Sequence, residues 1–240
     1  DENWYSVTID NAKSGWGHDM VEVESETKQF KSTKIQEMTL SRAGIEISIS
    51  VSTVFIETVD GKPVSVQTTQ ETMGQKQESI WKFSDKTIEM ISVAGGTPIV
   101  KTIPMPEGAW LTPQAVKRMF EQKMEEGASA ITYQTMTPEL GPTLLTVVMT
   151  KQGEEERDVL GKAMTVTSWE AVNDKMPIVG MEFYAANGMN VGSSMNAGFG
   201  AITTTIMSKH DALSPVNEVP ELMVSLFVEP NKPIPNKPEL

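Results

Sequence analysis

Between positions 45 and 52 apolar and polar residues alternate strictly. Ile45, Ile47, Ile49 and Val51 stand against Glu46, Ser48, Ser50 and Ser52. Successive side chains of a strand point to opposite faces, so this spacing predicts a strand with one buried and one wet face. Asp60-Gly61 tolerates the positive φ of a tight turn and predicts a hairpin to a return strand over 64–69. Ser84-Asp85-Lys86 separates Trp81-Lys82-Phe83 from Ile88-Glu89-Met90-Ile91 in the same way, and Gly95-Gly96 leads to a further strand over 99–103. Extended stretches follow over 130–137, 144–150, 157–160, 163–172, 178–185, 189–195 and 201–207. Gly153 with Glu154-Glu155-Glu156 reads as a charged turn, Asn187-Gly188 as a type I′ turn, and Ser208 to Leu213 as one helical turn. Roughly ten to twelve strands joined by consecutive hairpins imply an antiparallel meander.

One segment breaks the two-residue period. Thr112-Pro113 opens it, with Thr112 in the N-cap position and Pro113 at the first helical position. Val116, Met119, Phe120 and Met124 follow at helical spacing, while Lys117, Arg118, Glu121 and Glu125 fall on the other side. Gly127 closes the segment. A single helix among so many strands should cover one face of a strongly curved sheet. The expected fold is mainly β (α+β): an open or half barrel of antiparallel strands covered by one main helix, filling residues 1–214. From Pro215 onward six of the 14 prolines fall in the last 26 residues, which predicts an extended linker or docking tail over 215–240. Leu222, Met223, Val224, Leu226, Phe227 and Val228 form an apolar patch within it that should dock on this domain or a neighbouring one.

Composition narrows the chemistry. The 240 residues carry 20 Lys+Arg against 32 Asp+Glu, a net charge of −12, and this argues against nucleic acid and against anionic membrane surfaces. With no Cys there is no disulfide framework, thiolate metal site or cysteine nucleophile. No apolar run approaches the ~20 residues of a membrane-spanning helix. The two histidines, His18 and His210, each precede an Asp, but neither has a second metal ligand or a nucleophile at useful spacing, and both read as surface-loop residues. Gly-x-Ser-x-Gly, phosphate-loop and dinucleotide motifs are missing. The sixteen methionines are spread evenly rather than in a copper-binding cluster, so they read as core filling, with a deformable apolar pocket as the sharper alternative. Neither catalytic residues nor a metal or cofactor is expected. The candidate ligand-binding residues are Trp110, just before the helix, and the helix stripe of Val116, Met119, Phe120 and Met124.

Several strings taken together resemble a known arrangement. They are Gly15-Trp16-Gly17-His18 after a Trp4-Tyr5 strand, Arg42-Ala43-Gly44, Glu57-Thr58-Val59-Asp60-Gly61-Lys62-Pro63, and Ile103-Pro104-Met105-Pro106-Glu107-Gly108. Asn187-Gly188 and Lys209-His210-Asp211-Ala212-Leu213 complete the set. Their order resembles the N-terminal β-rich region of exported bacterial proteins that carry a transglutaminase-like domain further on, and the element order is similar to lipoprotein-carrier folds. The resemblance implies that the catalytic Cys, His and Asp belong to a downstream domain, and that this region is not itself an enzyme. The chain starts at Asp1, which fits a mature exported protein, periplasmic or associated with the cell envelope. The expectation is therefore a non-catalytic binding or accessory domain of an exported multidomain bacterial protein, partnered by its downstream domain or a peptide. The alternative is a carrier or sensor of a lipid-like apolar ligand held between sheet and helix. An enzyme would need an acid–base pair that no spacing in the sequence reveals.

Overall fold

Among the described residues fourteen strands form one antiparallel sheet. In chain order they are β1 (Glu2–Ile9), β2 (Ala12–Glu24), β3 (Gln29–Arg42), β4 (Ile45–Thr58), β5 (Pro63–Thr72), β6 (Gln75–Phe83), β7 (Thr87–Ala94) and β8 (Thr97–Pro104). After the helix α1 (Pro113–Glu125) come β9 (Ala130–Met136), β10 (Leu144–Val159), β11 (Lys162–Asn173), β12 (Gly180–Ala185), β13 (Asn190–Asn196) and β14 (Ala201–Met207), then the single turn α2 (Lys209–Ala212). The computed structural model describes residues 1–222 apart from 95, 177 and 199. The apolar patch expected in the tail lies outside the described residues from Met223 onward. The stretch of tail leading into the patch lies along β3: Ser41 N–H donates to the Pro220 carbonyl, and Leu222 N–H donates to the Ser41 carbonyl. The Glu221 carboxylate accepts from the Ser41 hydroxyl at 2.7 Å and from Ala43 N–H at 3.0 Å.

Neighbours in the chain are neighbours in the sheet, with one addition: β1 pairs with β14. That pairing joins two meanders, so the sheet runs continuously from β8 through β1 and β14 to β9. The two strands at its ends, β8 and β9, are consecutive in the chain and do not pair. The expected curved meander with one main helix is the fold observed, an open, barrel-like sheet.

The sheet has more strands than the period predicted. β2 and β3 were not legible because much of each is half-buried on both faces, with Thr, Lys, Gln and Ser in place of a strict alternation. The Glu154-Glu155-Glu156 run is not a turn. It lies inside β10, directly after a bulge in which Gly153 pairs with Ser168. Asn187-Gly188 is a turn, but not type I′. Gly188 has φ +79° and Asn187 is not left-handed, while Gly188 N–H donates to the Ala185 carbonyl at 2.9 Å. The helix starts at Pro113 as the spacing predicts, and Gly127 (φ +75°) follows its end.

Three apolar clusters fill the sheet. The first gathers Tyr5, Val159, Val166, Phe183, Val191 and Ile206. Phe55, Val66, Trp81, Ile88 and Met136 form the second. In the third, Phe120 from the helix packs with Ile131, Met149 and Trp169. Methionines enter every one: Met164, Met181 and Met189 the first, Met90, Met105 and Met136 the second, Met119, Met124 and Met149 the third. An unbranched thioether fills the irregular gaps that a coiled sheet leaves against a helix.

Candidate functional site

The site begins with the anchoring of α1. A register shift between Ile56 and Glu57 near the end of β4 changes the aim of the Glu57 side chain. Glu57 is fully buried, and its carboxylate accepts the Thr112 hydroxyl at 2.6 Å and the Gln114 N–H at 3.1 Å. Thr112 therefore does not cap the helix with its own side chain; a carboxylate from another strand satisfies the first-turn donor and faces the positive end of the helix. Further along, the Gln114 amide donates to the Ser32 hydroxyl at 2.9 Å, and the Arg118 guanidinium lies 5.7 Å from the Phe30 ring centroid. Phe120 then meets Tyr184 at 4.4 Å and Trp169 at 5.2 Å between ring centroids. The helix thus reaches from β3 and β4 across to β11 and β12 and links the two halves of the open sheet.

Four of the five candidate ligand residues lie on this helix. Phe120, Met119 and Met124 meet in the third cluster, and Val116 is half-buried on the same helix. Trp110 is separate: it packs 5.9 Å from Phe83 between ring centroids and belongs to the second cluster. Beneath the helix the Trp169 indole N–H is buried with no hydrogen-bond acceptor among the described residues.

At the seam where the sheet fails to close lies an open recess of about 520 Å3. Ile103, Pro104, Met105 and Pro106 form one wall at the end of β8, and Gln134, Pro142, Thr143 and Leu144 form the other. Glu107 stands at the rim. None of the five candidate residues lines the recess, although Trp110 shares its cluster with Ile103, Met105 and Leu144. The recess was not legible from spacing, because its two walls are some thirty positions apart and meet only through topology; its one local signal was the Pro-Met-Pro string after β8. The edge of β9 beside it is occupied: Leu111 N–H donates to the Gln134 carbonyl and the Thr135 hydroxyl to the Leu111 carbonyl, both at 2.8 Å.

Two polar groupings lie elsewhere. The Glu182 carboxylate accepts from the Tyr184 hydroxyl and from the Asn190 amide, and the Tyr5 hydroxyl donates to the Asn190 carbonyl at 3.4 Å. Burial, with Glu182 nearby, holds the Tyr133 and Tyr184 phenols well above their ordinary range, and burial does the same for Tyr5. On the strand pair β1–β2, His18 stacks on Trp4 at 4.0 Å, and its Nε2 is 3.0 Å from Glu2 Oε1. His18 is 8% exposed and part of a strand rather than a surface loop. The Glu2 carboxylate is held below its usual range by the hydrogen bond from Trp4 and by His18. Among the described residues no three His, Asp or Glu side chains converge to hold a metal ion, and no helix is long and apolar enough to cross a membrane.

An open, barrel-like antiparallel sheet with an apolar recess at its seam is the class of protein these features define. Its fold is similar to that of a beta-barrel-like protein of the domain of unknown function DUF1849 from Brucella abortus, with a TM-score of 0.64 and 12% identity over 85% of this chain and 94% of that one. At that identity the likeness is one of fold. No family model matches the chain, and no curated protein does.

Proposed function

We propose that this chain is a non-catalytic binding domain that takes an apolar ligand group at the seam between β8 and β9. One observation carries the reading: the sheet stays open at a place where Ile103, Met105, Pro106 and Leu144 face a recess of about 520 Å3. That volume lies within the range of ordinary ligand sites, whose linings are mostly apolar with a few polar groups for orientation. Here Glu107, Gln134 and Thr143 would serve as those groups. In the wider reading the domain is an accessory module of an exported bacterial protein with a transglutaminase-like domain downstream, and residues 1–214 are its folded unit. That wider reading rests on the residue strings quoted above.

The test uses the neutral fluorophore N-phenyl-1-naphthylamine. The chain should enhance its emission, and Leu144→Glu, which sets a charge in the apolar wall, should abolish the enhancement while the unfolding free energy stays within about 1 kcal/mol of the parent. Enhancement unchanged by Leu144→Glu would sink the assignment to the seam. A second reading is favoured by the unpartnered Trp169 indole: a ligand carbonyl held between sheet and helix, against Met119, Phe120 and Met124, with Trp110 apart in the second cluster. In that case Met124→Glu, and not Leu144→Glu, would remove the enhancement.

A further inference from the structure

The edge of β8 offers more than an apolar wall. Met105 N–H donates to the Lys86 carbonyl at 2.8 Å, continuing the β7–β8 ladder by one step. In an antiparallel ladder hydrogen-bonded and non-bonded pairs alternate. The odd positions Ile99, Lys101 and Ile103 therefore bond to β7, and the even positions Pro98, Val100, Thr102 and Pro104 turn their main-chain groups outward. The two prolines have no N–H. Among the described residues the free donors of this edge are thus Val100 and Thr102, bracketed by prolines that stop a longer strand from pairing. Ile99 and Val100 are 69% and 59% exposed. Lys101, between the two donors, has no ion-pair partner among the described residues.

The geometry points to a short extended peptide, with an acidic residue at its centre, as the ligand of the seam, pairing antiparallel with β8. This inference rests on the seam being the binding site and names the class of its ligand. Main-chain groups of the peptide would bond to Val100 and Thr102. The residue between those two bonds faces Lys101 in a non-bonded pair, where opposite side chains come closest, and a carboxylate there complements the lone ammonium. The residues two positions to either side fall opposite Ile103 and Ile99, so both should be apolar, and the one beside Ile103 reaches the recess. The expected pattern is apolar–any–acidic–any–apolar. A lipid chain would use neither the Val100 and Thr102 donors, which would stay with water, nor the Lys101 ammonium. A second copy of β8 is disfavoured, because the two-fold pairing that joins Val100 to Thr102 sets Lys101 against Lys101, and like charges directly opposite destabilise a sheet.

The probe is a fluorescein-labelled heptapeptide, threonine-valine-threonine-glutamate-threonine-valine-threonine, titrated with the full chain and read by anisotropy. It should bind and slow amide exchange at Val100 and Thr102. Lys101→Glu should weaken it about fivefold and strengthen the analogue with a central lysine by a similar factor, the scale of one exposed ion pair. That exchange of preference cannot come from misfolding. N-methylation of the two threonines flanking the glutamate should abolish binding. Binding that survives N-methylation or ignores the charge at position 101 overturns the inference, as does a dimer of the chain that the peptide dissociates. Naphthylamine binding without peptide binding at about 1 mM overturns the peptide and leaves the recess standing. If neither probe binds, both readings fall.

Discussion

Leu160 sits at φ +55° in the two-residue turn between β10 and β11 and is 54% exposed. Ala43 and Met73 hold the same left-handed conformation in the turns after β3 and β5, each followed by a glycine. A residue with a Cβ gives up roughly 1–2 kcal/mol there, and Asn gives up less because its short polar side chain bonds locally. Leu160→Asn also removes an exposed apolar side chain, so it should stabilise the fold by about 0.5–1 kcal/mol. A urea midpoint that rises with no change in slope is the expected result, and a fall would show that Leu160 is held by packing. At this scale the sequence was legible where a residue type has one strong habit, as with Asp60-Gly61. It was less so where the cause is a distant neighbour. Gly15 stood out as part of a Gly-Trp-Gly-His string, yet what requires glycine is space: a Cβ there would run into the Glu37 carbonyl of β3. Glu57 was visible only as one member of a turn-flanking string, because carboxylates are seldom fully buried.

Among the elements, the helix and the last strand were the most legible. Pro113 and Gly127 mark the helix ends by their own backbone chemistry, and β14 spans the β-branched stretch over 201–207. What the spacing concealed was how the helix is held. Its first turn depends on a carboxylate brought by β4 from 55 positions upstream. Glu57→Gln replaces one carboxylate oxygen by an NH2 group, which must then face either the Thr112 hydroxyl or the Gln114 N–H. Facing Thr112, the NH2 donates to the hydroxyl, whose own proton turns to the Gly61 carbonyl at 3.3 Å; the bonds to a carboxylate become neutral ones, and the expected loss is about 1–2 kcal/mol in a urea titration. Thr112→Val should cost less in the Glu57→Gln background than alone, because the two share one bond. Additive losses would mean that the carboxylate and the hydroxyl act independently. Exposed Glu71→Gln is the control and should leave the midpoint in place. The long charged middle of β10 escaped the reading for a related reason: three glutamates in a row look like a turn only until a bulge at Gly153 and a partner strand are supplied.

At the scale of the whole molecule, β1 carries the closure as far as it goes. By pairing with both β2 and β14 it joins the two meanders, and no local pattern announces such a contact between residues some two hundred positions apart. The same long-range pairing sets Tyr5 beside Asn190, while the chain's other two tyrosines, Tyr133 and Tyr184, pack in the cluster beneath α1. Burial raises all three phenols, with Asp19 adding to the effect at Tyr5 and Glu182 at Tyr133 and Tyr184. The folded state favours the neutral phenol, so the folded pKa exceeds the unfolded one. Stability from these groups is complete below the unfolded value of about 10 and is lost as the pH climbs above it toward the folded value. Absorbance of phenolate at 295 nm distinguishes the two states. At a pH of about 10.5 the denaturant-unfolded chain should be mostly ionised while the native chain stays silent, and the native signal should appear in step with loss of near-ultraviolet circular dichroism. A native tyrosine titrating freely near pH 10 would mean that water reaches the interior, beside β1 if it is Tyr5 and beneath α1 if it is Tyr133 or Tyr184.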